Sequence, residues 1–446
     1  MQRLSHLWEE LSSSLWFIPF LIILGAVALA GGLIQADIHI DSRTWEDWPY
    51  LFGAGAAGAR GMLGAVASSM ITVAGVAFSI TIVALSLTSS QYTSRVLRNF
   101  MGDRVNQAVL GVFVGIFAYC LVVLRTIRGG DEGAFVPPLA VLGGVVLAFV
   151  GISCLIFFIH HIATAIQAAQ ILRAVASETE AAISRLFPEG LGEEKETLDN
   201  TLPVPPKVKA WQSVPALATG YVQGVDESAL LRFAREKRLI VRMECGVGEF
   251  VIAGTSLASV TGEAAPDEAG TEGLNSAYTL GPQRTMGQDA GFGFRQIVDV
   301  ALKALSPGIN DTTTAIMCVD RLASLLVRLA RRHIEKDWRM EGGELRVIAR
   351  GPSFASLLAE SFDQIRQNAG GNVAVLDRLL WANGLLADEV RGSRREALLR
   401  QVEAVGEVIG RTIPAPLDRA ALEARFDGLK RRLEARDPEE VKLFHR

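Results

Sequence analysis

The sequence predicts an α-helical membrane protein with four transmembrane helices, followed by a soluble α+β domain with a small bent sheet and several helices. Three observations lead there. From Gly61 to Thr88 no side chain is ionisable, a run long enough to cross a bilayer with some tilt to spare. Three further apolar runs lie on either side of it before His161. Beyond that point the chain turns charged, with strand-like alternation first and helical periodicity afterwards.

The first apolar run is Leu15–Leu33. Arg3 is followed by Glu9 and Glu10, a poor positive flank for a cleaved leader, so the run reads as a retained helix. The loop expected after it carries Asp37, His39 and Asp41, which would share one face if extended. Three ligands in a loop read as solvated, and no metal site is expected there. Trp45, Trp48, Tyr50 and Phe52 suit a membrane interface.

The second span organises the rest. Ser68, Thr72, Gly75, Ser79, Val83, Ser86 and Ser90 recur at three- and four-residue steps and so share one helix face. Gly53, Ala57, Gly61, Ala65 and Ser69 repeat at every fourth residue and would admit another backbone closely. Two readings stay open. In one, the hydroxyls bond back to their own carbonyls and the small residues line helix contacts. In the other, the face meets water or an ion path. Arg95 and Arg98 follow the span and would sit at a cytoplasmic mouth of such a path.

The third run, Ala108–Leu124, contains Gly111-x-x-x-Gly115, a small-residue contact pair. Pro137-Pro138 lead into the fourth, Leu139–Ile159, whose Gly144, Ala148 and Gly151 mark a contact face. His160 and His161 end it, with solvation at the interface as their expected state. The division is therefore 1–161 for the membrane domain, 162–187 for a juxtamembrane stalk helix, 188–210 for an acidic, proline-containing linker and 211–446 for the soluble domain.

In the soluble part, Ala218–Val225, Leu239–Cys245, Glu249–Ile252 and Ser256–Val260 read as short strands separated by Gly turns, with a helix at Glu227–Arg238 and a charged loop at Glu263–Glu272. Helical stretches follow at Phe292–Leu305, Thr312–Arg332, Ser353–Gln367, Val373–Val390, Arg394–Ile409 and Leu417–Ala435, with one strand at Leu345–Arg350.

Net charge is −4 over 446 residues with no concentrated basic tract, which excludes a nucleic-acid binder as the expected class. Cys120, Cys154, Cys245 and Cys318 form no C-x-x-C pair and read as reduced packing residues. No nucleophile elbow, phosphate-binding loop or zinc-helix motif occurs, and no cofactor is expected. In the soluble part, Asp289, Arg295, Asp299 and Lys303 fall on or beside one helix at ion-pairing spacing. Asp311 stands before Thr312 as an N-cap, with Asn310 and the Pro307-Gly308 turn preceding it. Those residues read as a packed, capped helix pair, or else as a ligand site on the amides of Asn310–Thr313.

Two segments carry a resemblance. Ser68-Ser-Met-Ile-Thr-Val through Ser86-Leu-Thr-Ser-Ser-Gln91 and Arg95-Val-Leu-Arg98 form one; Arg284-Thr-Met-Gly-Gln-Asp289 through Phe292–Asp299 to Ser306-Pro-Gly-Ile-Asn-Asp311 form the other. Together they resemble the bacterial membrane family catalogued as domain of unknown function 2254, over nearly the whole chain. One departure is Tyr92-Thr93-Ser94, where that family is expected to carry Phe-Ser-Pro. The resemblance implies the topology and a bacterial inner-membrane setting, and no activity. The functional expectation is a homo-oligomeric ion channel or transporter-like protein, with the second span lining the path for small ions and both termini cytoplasmic. A non-conducting scaffold or ligand sensor, and a membrane-bound enzyme, are the alternatives.

Overall fold

The computed structural model describes residues 16–39, 55–91 (backbone only for 89–91), 103–129, 135–165, 167–187, 210–334 and 338–435. The chain divides into two compact units at Ile171/Leu172.

The first unit holds four helices long and apolar enough to cross a membrane. They are α1 (Phe17–His39), α2 (Ala56–Gln91), α3 (Arg104–Thr126) and α4 (Pro138–Ala165). Half of the apolar window of α3 is buried, against 17–22% for the other three, so α3 is the helix the others wrap. Glycines set the distances. A Cβ on Gly111 would stand 2.8 Å from Pro19 Cα, and one on Gly115 would stand 3.4 Å from Ala26 Cβ, so α1 lies directly against that pair. On α4, Gly144 receives Leu63 of α2, and a Cβ on Gly151 would sit 2.7 Å from Met70 Sδ. The outward sides of α1 and α4 carry Phe20, Leu21, Leu24, Phe149, Ile152 and Ile156, which are chemically suited to acyl chains.

Helix α1 runs six residues past the apolar stretch that predicts it. Asp37 and His39 are therefore helical rather than extended, which at helical spacing puts them on different faces; Asp41 lies outside the described residues. Asp37 is 8% exposed.

After α4 comes α5 (Ala168–Leu186). The second unit then adds β1 (Trp211–Pro215), β2 (Gly220–Val225), α6 (Glu227–Lys237), β3 (Val241–Met243), β4 (Phe250–Val251), β5 (Ser256–Thr261), α7 (Glu268–Asn275) and β6 (Tyr278–Gly281). Its second half is α8 (Ala290–Ala304), α9 (Thr312–Ala330), β7 (Trp338–Glu341), β8 (Glu344–Ile348), α10 (Phe354–Asn368), α11 (Val373–Leu386), α12 (Gly392–Thr412) and α13 (Pro416–Glu434). The strands form two small sheets, ordered β1-β5-β3-β8-β7 and β4-β2-β6. All pairings are antiparallel except β3 with β8. Val214, Val222, Leu230, Val241, Leu257 and Leu274 fill the core between the strands and α6 and α7. The family of helices α8–α12 packs on itself around Phe294, Ile297, Leu322 and Phe362, each fully buried.

Candidate functional site

Helix α2 has two opposite faces. Ala59, Leu63, Ala67, Met70, Ala74, Ala77 and Ala84 are buried, and they are the side that packs within the chain. Ser68, Thr72, Gly75, Ser79, Val83 and Ser86 are all exposed. At about 100° per residue, the two sets centre roughly 180° apart. Ala57, Gly61, Ala65 and Ser69 are exposed too, and the same arithmetic puts them on the hydroxyl side, so the two predicted rows form one continuous face. A Cβ at Gly61, Gly64 or Gly75 would meet nothing within 4 Å. The small and hydroxylated face is thus left uncovered by the described residues, among which the alanine face is buried instead. The side chain of Ser90, and Gly53, Arg95 and Arg98 altogether, lie outside the described residues.

Thr72 Oγ1 donates to Ser68 O at 2.8 Å, and Thr81 and Thr88, on the packed side, bond back in the same way to Ala77 O and Ala84 O. Such bonds satisfy a hydroxyl without a partner helix and lower the cost of its meeting an apolar neighbour.

Around this helix the ends of the bundle are tied by polar groups whose partners the sequence pattern did not indicate. Arg60 Nη2 donates to Ile127 O at 2.8 Å, linking α2 to the end of α3. Tyr119 donates its hydroxyl to Ala140 O at 2.7 Å. Asp37 accepts from Leu139 N and Ala140 N, both at 3.0 Å. At the other end His161 Nε2 lies 2.5 Å from Asp103 Oδ2, while Asp103 Oδ1 caps α3 through Val105 N. His160 is exposed as expected, whereas its neighbour is paired rather than solvated.

In the second unit, Asp289 caps α8 by accepting from Phe292 N at 3.0 Å, and Arg284 grips it with Nε at 2.8 Å and Nη2 at 3.0 Å. Gly248, at φ +87°, passes so close that a side chain there would collide with the Asp289 carboxylate. Arg295 Nε pairs with Asp299 Oδ1 at 2.8 Å, the predicted four-residue spacing, and Glu360 stands 3.8 Å from Arg295 Nη1. Asp311 caps α9, accepting from Thr314 N at 3.0 Å and Thr314 Oγ1 at 2.6 Å. The Thr314 hydroxyl and then its amide hold the Asp311 carboxyl below its ordinary value. Asn310 adopts φ +50° and donates its N–H to Ser306 O, turning the chain from α8 into α9. These carboxylates are engaged by caps and ion pairs. Asp289 and Asp299 are also ten residues apart on one helix, about 15 Å along its axis. They do not converge on one cleft.

The model of a family described as predicted membrane protein (DUF2254) matches residues 12–383. The chain belongs to the DUF2254 family of predicted membrane proteins. Relatives include uncharacterized proteins of Mycobacterium tuberculosis (strains CDC 1551 and H37Rv) and of Mycobacterium bovis. Each is 35% identical over 429 residues, covering 94% of this chain and 81% of the relative. No solved structure matches. The DUF2254 match takes in the four spans, both small sheets and the Arg284–Asp311 region, so the caps and ion pairs described above all lie inside the family segment.

Proposed function

We propose that this DUF2254 protein is a homo-oligomeric channel or transporter-like protein of the bacterial inner membrane, in which the hydroxyl face of α2 lines a central path for small ions. One observation carries the reading: the small, alcohol-bearing side of α2 faces away from its own bundle. Covering it with the same face of further copies brings Gly61, Gly64 and Ala65 into close backbone contact and Ser79 and Ser86 around the axis. Arg95 and Arg98 then form the cytoplasmic mouth, where a ring of guanidinium groups favours anions. In this reading both termini are cytoplasmic and residues 211–446 regulate opening from that side.

The test is reconstitution of the full chain into planar bilayers, with current recorded under voltage, tension and pH steps. Discrete currents that fall on Ser79→Leu and Ser86→Leu are expected. A silent wild type, combined with bromolipid quenching of a fluorophore attached at position 79, would overturn the proposal, because the face would then be touching acyl chains.

A further inference from the structure

We infer that α5 joins the soluble unit to the membrane helices as a built-in part of that unit, so that the linker after it, residues 188–209, is not the joint between membrane and domain. The inference stands apart from the conduction reading and concerns which unit α5 belongs to.

The C-terminal half of α5 is seated on α8 and α9 by both packing and polar contacts. Thr179 is fully buried, and it occupies the space a side chain on Gly293 would need: a Cβ there would stand 2.7 Å from Thr179 Cγ2 and 2.8 Å from its Cβ. Thr179 can be buried because its hydroxyl donates to Val175 O at 2.6 Å, leaving no unmet donor. Ala182 and Ile183 are buried one turn further on. Glu180 pairs with Arg328 of α9, whose Nη2 also donates to Ser184 Oγ at 3.1 Å. Arg185 Nη2 donates to Gly287 O at 2.7 Å, within the segment that carries the Arg284–Asp289 pair. Arg332 Nη1 donates to Phe187 O at 3.4 Å.

Five residues of α5 and its C-cap, from Thr179 to Phe187, therefore hold two helices and the loop before α8. Upstream, α4 ends at Ala165 and α5 begins at Ala168. Gln167 N donates to Thr164 O at 3.2 Å, and Ile171 N to Gln167 O at 3.2 Å.

The experiment cuts the linker. A site for a sequence-specific protease is inserted after Gly190 in the full chain, which is purified in mild detergent with an affinity tag at its N-terminus and then nicked. The C-terminal fragment is expected to stay with the tagged membrane fragment through gel filtration in 0.5 M salt at dilution, with the unfolding midpoint of the nicked protein unchanged. Separation of the fragments would overturn the inference. Retention through some other surface is distinguished by Gly293→Leu, which drives Thr179 off α8 and is expected to weaken retention about tenfold or more. Arg328→Ala serves as a milder second variant, removing the Glu180 and Ser184 contacts from the half-exposed side. Retention unaltered in both variants would also overturn the inference.

Discussion

Replacing Asp37 tests whether one carboxylate closes a helix it does not belong to. Helix α4 starts at Pro138, and the residue at its N-cap position is Pro137, which has no side-chain oxygen to offer. The donors left over at its start can be counted. Pro138 has no N–H, Val141 N already reaches Pro137 O at 3.0 Å, and that leaves Leu139 N and Ala140 N. Both point at Asp37, one at each carboxylate oxygen, at 3.0 Å. In a buried setting each charge-assisted bond is worth about 1.5–3 kcal/mol, and stranding the two amides costs a similar amount. Asp37→Ala is thus expected to destabilise the membrane unit by about 3–6 kcal/mol. Asp37→Asn keeps one acceptor oxygen and should lose roughly half as much. The assay is equilibrium unfolding of purified protein in mixed micelles against increasing SDS, followed by far-ultraviolet circular dichroism. An Asp37→Ala protein within about 0.5 kcal/mol of wild type would refute the accounting, since it would mean the amides find other partners at no cost.

Three further outcomes follow from the same kind of reasoning. Tyr119→Phe keeps the ring against Gly143 and Gly144 but loses the 2.7 Å bond to Ala140 O, and should cost about 1 kcal/mol in the same unfolding assay. Gly293→Ala should cost about 1–3 kcal/mol by overpacking against Thr179, with partial recovery in the Thr179→Ala, Gly293→Ala double variant; full additivity would show that the two do not touch. Asp311 has a lowered carboxyl pKa in the folded protein, so its contribution is present above its ordinary value of 3.8 and is lost as pH falls through the lower folded value. The gap in thermal midpoint between wild type and Asp311→Asn should therefore be widest near neutral pH and close below pH 4.

The spans were legible because apolar length is a direct consequence of bilayer thickness, and α8 through α13 were legible because their buried faces repeat at helical spacing. The elements missed have reasons. Strand β1 is five residues long and carries its own proline, and α7 spends two of its eight residues on glycine, so neither shows a periodic signature. Strand β7 was hidden because only its Gly342-Gly343 turn, with φ of +61° and +79°, marks the hairpin with β8. The bent sheet expected from the Gly-punctuated strands is two sheets, since β2 turns to β4 and β6 while β3 turns to β5 and β8. On α2 the spacing placed the hydroxyls on one face but could not say which face the rest of the chain would choose. The five alanines Ala59, Ala67, Ala74, Ala77 and Ala84, with Leu63 and Met70, decided that, by letting α3 and α4 approach closely. The role of Asp37 had a signal in principle: an isolated acid at the end of one apolar run, and two prolines opening another that could not close its own end.

The pairing of β3 with β8 has a consequence for synthesis. These strands run parallel, yet about a hundred residues and the helices α8 and α9 separate them along the chain. A ribosome must therefore emit nearly 350 residues before β3 can acquire its outer neighbour, and until then that strand presents bare amides and carbonyls to water or to a chaperone. Slow codons or truncations between 282 and 343 should consequently send nascent chains toward proteolysis, however well the bilayer portion has already inserted.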